Sequence, residues 1–336
     1  GNFLAGAGFS QSQGLVFSSS VTQENFLGTG KRVGVSFNTG DVNTVYSFSY
    51  TNPYWTVDGV SRGFDLFYRE TDAQEANVSD YTTDRAGGNM RFGIPINEFD
   101  TVNLGVGVEN TALELGTAPS TQIRDFLDQE GDEFLNWSLT ASWSHDTRNR
   151  AIFPDRGVFQ RFGGEVSMPG SDLTYYKLDY RHHWYIPLGG DYTVLLKGEV
   201  GYGDAFGDTP RLPFFENFFA GGVRSVRGYE DNSLGPRDSN NDPLGGDVKL
   251  VGNAELILPV PFVKDSNSVR LSGFFDAGNV FGPGEDFDTE DLRASVGLAT
   301  TWMSPLGALT FSFAEPINDE PNDDLQAFQF TFGSVF

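Results

Sequence analysis

Residues 175–186 read YYKLDYRHHWYI. Tyr176, Leu178, Tyr180, Trp184 and Ile186 share one parity, with His182 the exception, while Lys177, Asp179, Arg181 and His183 share the other. Successive side chains of a strand point to opposite faces, so this spacing makes a strand with one oily side and one charged side. The design repeats along the chain. Within 192–202, Val194, Leu196, Val200 and Tyr202 oppose Thr193, Lys197 and Glu199; within 306–314, Leu309, Phe311 and Phe313 oppose Thr310 and Ser312. Turn-forming stretches such as NTGDVN (38–43) and PLGGD (187–191) separate these runs. Counting the runs predicts about fourteen to sixteen strands of roughly ten residues each, the pattern of a membrane barrel.

Composition agrees. The 336 residues include 31 Phe and 41 Gly, yet only 38% are hydrophobic. No apolar run approaches the roughly 18 residues that a membrane-spanning helix needs. A barrel resolves the apparent conflict: only outward residues meet lipid, and closure pairs every backbone group that hydrocarbon would otherwise strand. Tyr54, Trp55, Trp137, Trp184, Tyr192 and Trp302 stand near segment ends, where interfacial aromatic girdles belong. The expected fold is therefore all-β, an antiparallel transmembrane β-barrel, with a long loop at about 205–247. Within 116–135, STQIRDFLDQEG (120–131) predicts a short helix capped by Ser120 or Thr121, with Ile123, Phe126 and Leu127 on one side.

Several function classes fall away. With no cysteine there is no thiolate nucleophile and no Cys-ligated metal. A net charge of −24 disfavours nucleic acid as a partner, because phosphate binding needs basic clusters. His145 with Asp146, and His182 with His183, are strand neighbours whose side chains diverge, so neither pair makes a catalytic unit. Asp238, Asn240 and Asp242 have EF-hand-like spacing, but Pro243 stands where that loop needs Gly and Lys249 where it needs Glu, which predicts a solvated acidic loop. No enzyme, cofactor or metal is expected. No signal peptide opens the chain, and Gly1 lies in what reads as a strand, so residues upstream are expected to have been removed.

The final segment, LQAFQFTFGSVF (325–336), places Phe328, Phe330, Phe332 and Phe336 on one face. It resembles the terminal signal of outer-membrane barrel proteins. FFAGGVRSVRGYEDNSLGP (218–236), with Val226, Arg227, Gly228 and Tyr229 at its centre, resembles the most distinctive motif of the BamA family of outer-membrane protein insertases, in which Phe is usual where Tyr229 stands. QENFLGTG (23–30), TNPYWTVDGVSRG (51–63), HDTRNRAIFPDRG (145–157) and FFDAGNVF (274–281) follow the family's order. The resemblance implies a 16-stranded antiparallel transmembrane β-barrel as a single domain over 1–336, with the loop at about 205–247 folded into the lumen and without the periplasmic POTRA domains. It also implies unfolded outer-membrane clients, lipoprotein partners of the BAM complex that dock through those domains, and contact with outer-membrane lipid and lipopolysaccharide.

Parity adds a physical reading of the motif. Glu255 lies opposite Leu256 and Leu258, and Asp276 opposite Phe275, so both carboxylates should look into the bore, where Arg227 can bridge them. The resemblance implies the same contact, a loop tip latched to the inner wall. In the opening GNFLAGAGFS (1–10), Gly6 and Gly8 weaken a strand that carries little besides Phe3, Leu4 and Phe9 to pack. First and last strands must meet to close the cylinder, so Phe3, Gly6 and Gly8 should face Phe330, Phe332, Gly333 and Phe336 across a weak seam, with Gly333 letting the last strand bend inward. The family mechanism uses such a seam as a lateral gate. The alternatives are a related autotransporter-assembly or two-partner-secretion transporter, or a passive porin.

Overall fold

A computed structural model describes residues 1–260, 268–285, 287–304 and 307–333. The chain starts in β1 (Asn2–Ser10) and runs through β2 (Gly14–Gln23), β3 (Arg32–Thr39) and β4 (Asn43–Asn52). Longer strands follow: β5 (Ser61–Asp72), β6 (Tyr81–Pro95) and β7 (Asp100–Leu115). Helix α1 (Thr121–Glu130) precedes β8 (Glu133–Asp146), β9 (Gly157–Ser167), β10 (Tyr175–Gly189) and β11 (Tyr192–Ala205). The connection after β11 holds a two-residue strand, β12 (Gly228–Tyr229). Next come β13 (Val248–Leu258), β14 (Val269–Phe281), β15 (Arg293–Ser304) and β16 (Gly307–Pro316). The last elements are β17 (Leu325–Gln326) and β18 (Phe328–Phe332).

Sixteen of these strands close into one antiparallel barrel, with β1 meeting β18 and every other neighbour next in sequence; β12 and β17 pair separately. The parity reading holds. Leu66, Trp184, Leu256, Phe275, Leu298 and Phe313 are all exposed on the outside, as lipid-facing residues must be. Asn253, Glu255, Ser272 and Asp276, on the opposite parity, are buried. Strand length departs from expectation, since β6 has 15 residues and β7 has 16. Both rims mix loop lengths: on the rim with the 206–247 connection, loops 11–13 and 40–42 are short, whereas 24–31 and 53–60 on the other rim are longer.

The predicted helix forms over Thr121–Glu130, with Ile123 and Phe126 buried. Its cap differs from the prediction. Ser120 occupies the capping position, yet its hydroxyl makes no capping bond; the Thr121 N–H instead donates to Ser239 Oγ at 2.9 Å. A residue 118 positions away supplies what local sequence was expected to supply. Phe126 then packs edge-on against Phe134, Phe214 and Phe215, in a cluster with fully buried Ile123 and Leu173 that joins the helix to the long loop.

Candidate functional site: the loop anchor and the strand seam

Two places stand out: the tip of the 206–247 connection and the junction of β1 with β18. At the tip, Arg227 is buried, and its Nε donates to Asp276 Oδ2 at 2.6 Å. Its Nη2 donates to Asp276 Oδ1 at 2.7 Å and to Glu255 Oε1 at 3.0 Å, while its own N–H donates to Asp276 Oδ2 at 3.1 Å. The guanidinium plane also covers Phe274, 3.5 Å from the ring centroid. Burial alone would lower the Arg227 pKa, but the two carboxylates outweigh it and hold it above its ordinary value. Asp276 is fully buried and Glu255 nearly so, making this a desolvated bidentate pair rather than a surface contact.

The rest of the motif fixes that geometry. Gly228 has φ +93°, and a Cβ there would come within 3.1 Å of Ala314 Cβ, so glycine alone turns the chain here without strain. Val226 and Tyr229 are fully buried, and the Tyr229 carbonyl accepts from Gln329 Nε2 of β18 at 2.8 Å. Asn253 Nδ2 donates to the Ser225 carbonyl at 2.6 Å and to Asp276 Oδ1 at 2.8 Å. Sequence reading placed Val226, Arg227, Gly228, Tyr229, Glu255 and Asp276 together, as found. It missed Phe274, Gln329 and Lys197, whose Nζ lies 2.8 Å from Glu255.

A second anchor had no sequence signal. Glu216 Oε1 accepts from Arg85 of β6 at 2.7 Å, and Oε2 from Lys177 of β10 at 3.0 Å. Burial would raise the Glu216 carboxyl, but Arg85 and Lys177 overcome it and hold the pKa at about 2, below the ordinary 4.5. Stability from such a group is complete above 4.5 and drains away as pH falls toward 2. Glu216→Gln should therefore loosen the loop at neutral pH and flatten this acid limb. Proteinase K at pH 7 and pepsin between pH 4 and 2, read as cleavage within 206–247, check both parts.

At the seam, among the described residues, β1 pairs with β18 only through Phe9 with Phe332 and Ser10 with Thr331. On its other side β1 makes nine pairs with β2, and β18 makes five with β16. The edge of β1 from Asn2 to Gly8, including Phe3 and Gly6, has no partner in β18. Beyond the two pairs, Gln11 Oε1 accepts the Phe330 N–H at 2.9 Å, and the Phe9 and Phe330 rings lie 6.3 Å apart. Gly333 has φ +84°, and a Cβ there would stand 2.8 Å from Ala7 O and Gly8 Cα. Phe336 lies outside the described residues. Phe328, Phe330 and Phe332 follow the predicted parity, while Gln329, on the other, is buried.

The remaining candidates do no shared chemistry. His145 pairs with Asp100 of β7 at 3.0 Å, and His182 contacts Gln160 at 3.1 Å. Asp238 is buried, against the expectation of a solvated loop, because its Oδ1 accepts the Asn240 and Asp242 N–H groups of its own turn. Among the described residues no group of three or more His, Asp or Glu is arranged to hold a metal.

An apolar-sided closed barrel, with a loop tip bonded to its own inward carboxylates, defines an integral outer-membrane β-barrel protein. The Omp85 superfamily domain matches residues 25–336, and the chain belongs to that superfamily. The resemblance to its BamA family is borne out. Over its whole length the chain is 36% identical to the outer membrane protein assembly factor BamA of Neisseria meningitidis serogroup B, of which it covers 47%. It also matches the crystal structure of BamA from Haemophilus ducreyi lacking POTRA domains 1–3, with a TM-score of 0.91 and 30% identity over 98% of this chain and 69% of that one. CdiB from Acinetobacter baumannii, 13% identical with a TM-score of 0.60 over 98% of this chain and 58% of its own, shares the fold alone. The chain spans about half the length of the curated relatives it matches.

Proposed function

We propose that this chain is the barrel of an outer-membrane protein assembly factor, which folds and inserts client barrel proteins through a lateral gate between β1 and β18. The seam carries this reading. A β1 edge that from Asn2 to Gly8 has no partner in β18 among the described residues offers backbone donors and acceptors to an incoming strand, and such pairing is tolerant of client sequence. Relatives named as assembly factors support it. In this proposal the loop 206–247 lies in the lumen, latched by Arg227 and Glu216, and with α1 closes the bore. Unfolded clients, lipoproteins docked on POTRA domains, and lipopolysaccharide are its proposed partners; the chain acts without a catalytic centre.

The protein carrying this barrel, reconstituted in vesicles, should speed the folding of a urea-unfolded client barrel several-fold over empty vesicles. In planar bilayers its steady conductance should fall well below that of an open bore, because in this proposal the loop, joined to α1 through the aromatic cluster around Phe126 and Phe214, closes one end. Large steady conductance with no acceleration of clients would establish the passive porin instead.

A further inference from the structure

Arg69 of β5 has no ion pair or hydrogen bond among the described residues, and its direct cross-strand partner on β6 is another arginine, Arg85. Like charges placed directly opposite destabilise a sheet. Arg85 is compensated by Glu216 at 2.7 Å and Glu109 at 3.4 Å. Arg69 is not. Both arginines line a cavity of about 660 Å³, together with Arg181, Arg224 and Lys249; its carboxylates are Glu199 and Asp231. Lys249 already holds Glu199 at 2.9 Å, leaving Arg181 at 3.9 Å from it and directly opposite Arg161 of β9. Of these five cations, Arg85 is held by Glu216 and Glu109 and Lys249 by Glu199, while Arg224 faces Asp231; Arg69 is left with no carboxylate among the described residues, and Arg181 with Glu199 at 3.9 Å. Hydroxyl and amide groups of Ser12, Gln13 and Asn43 add neutral hydrogen-bonding groups to the wall.

We propose that this cavity binds a phosphate-bearing anion, held by Arg69 on one side and Arg181 on the other. A guanidinium fork suits a phosphate's paired oxygens. Arginines that line one cavity from β5 and β10 suit a compact polyvalent anion better than an extended acidic peptide, whose carboxylates are spread along a line at about 3.3 Å per residue. The anion's source is a free phosphate or the headgroup of a phosphorylated glycolipid. The inference stands apart from the assembly reading, since it rests only on this cavity.

The test is calorimetric titration of the detergent-solubilised chain with inorganic pyrophosphate in a phosphate-free buffer. Saturable binding is expected, with none from chloride at equal ionic strength. Arg69→Ala and Arg181→Ala should each weaken it ten-fold or more, and Arg69→Lys less. Arg32→Ala, which removes an exposed arginine paired with Glu24 outside the cavity, should leave it unchanged. Heat-modifiable gel migration verifies that each variant is a closed barrel. Nanodiscs with a diphosphorylated glycolipid, against the same lipid dephosphorylated, separate the sources: competition with pyrophosphate identifies the headgroup, and pyrophosphate binding without competition identifies a free anion. Absence of saturable binding in both arms, undiminished binding by folded Arg69→Ala, or binding of an acidic peptide but not pyrophosphate overturns the proposal.

Discussion

Replacing Arg227 with alanine should release the long loop from the wall while leaving the barrel closed. The substitution strands Asp276, which is fully buried and, among the described residues, keeps the Asn253 amide and the residue 227 N–H as partners; Glu255 retains Lys197. Removing one member of a buried ion pair typically costs about 3–5 kcal/mol, because the other charge remains desolvated and uncompensated. At 1.4 kcal/mol for each tenfold, the opening equilibrium of the loop should shift by roughly 10²–10³. The strand ladder is untouched, so heat-modifiable migration should persist. Proteinase K should cleave 206–247 far faster than in the parent, and client folding should slow with it. Arg227→Lys should fall between, since an ammonium keeps the charge but not the fork. The double variant R227A/D276N should regain part of the lost protection, as it leaves no orphaned charge. A loop in R227A as resistant as in the parent would show that the anchor does not hold it.

The reach of sequence reading follows from which interactions have a local signature. Strand parity does, because a two-residue period is written along every strand; Glu255 reads as inward from Leu256 and Leu258, and Asp276 from Phe275. The motif around Arg227 supplied the remaining member of that contact. Glu216 had no such marker: it meets Arg85 and Lys177 from 131 and 39 positions away, and any loop glutamate reads alike in one dimension. The capping of α1 by Ser239 and the pairing of β12 with β17 are equally non-local. Barrel strands are specified by their own alternation, whereas the loop is specified by what it touches far away along the chain.

Locking the seam should have the largest effect on activity. The parent chain contains no cysteine, so Ser10→Cys with Thr331→Cys introduces one unambiguous pair at positions already in register. Among the described residues, closure there rests on two residue pairs, the Gln11 clasp and the Phe9–Phe330 contact. A protein hydrogen bond contributes about 0.5–1.5 kcal/mol net, so the described pairs hold this junction by only a few kcal/mol, within reach of the opening that the proposed gate requires. The nine pairs between β1 and β2 make that neighbouring junction far harder to part, which directs opening to the seam. A disulfide removes the open state altogether. Oxidised protein in vesicles should therefore lose client-folding activity ten-fold or more, and reductant should restore it in the same sample, which separates gating from misfolding. A matched pair at Val35 and Phe48, in register between β3 and β4, should form its crosslink without loss of activity. Full activity in the oxidised Ser10–Thr331 variant would rule out passage or templating at this junction, and the open β1 edge would then need another explanation.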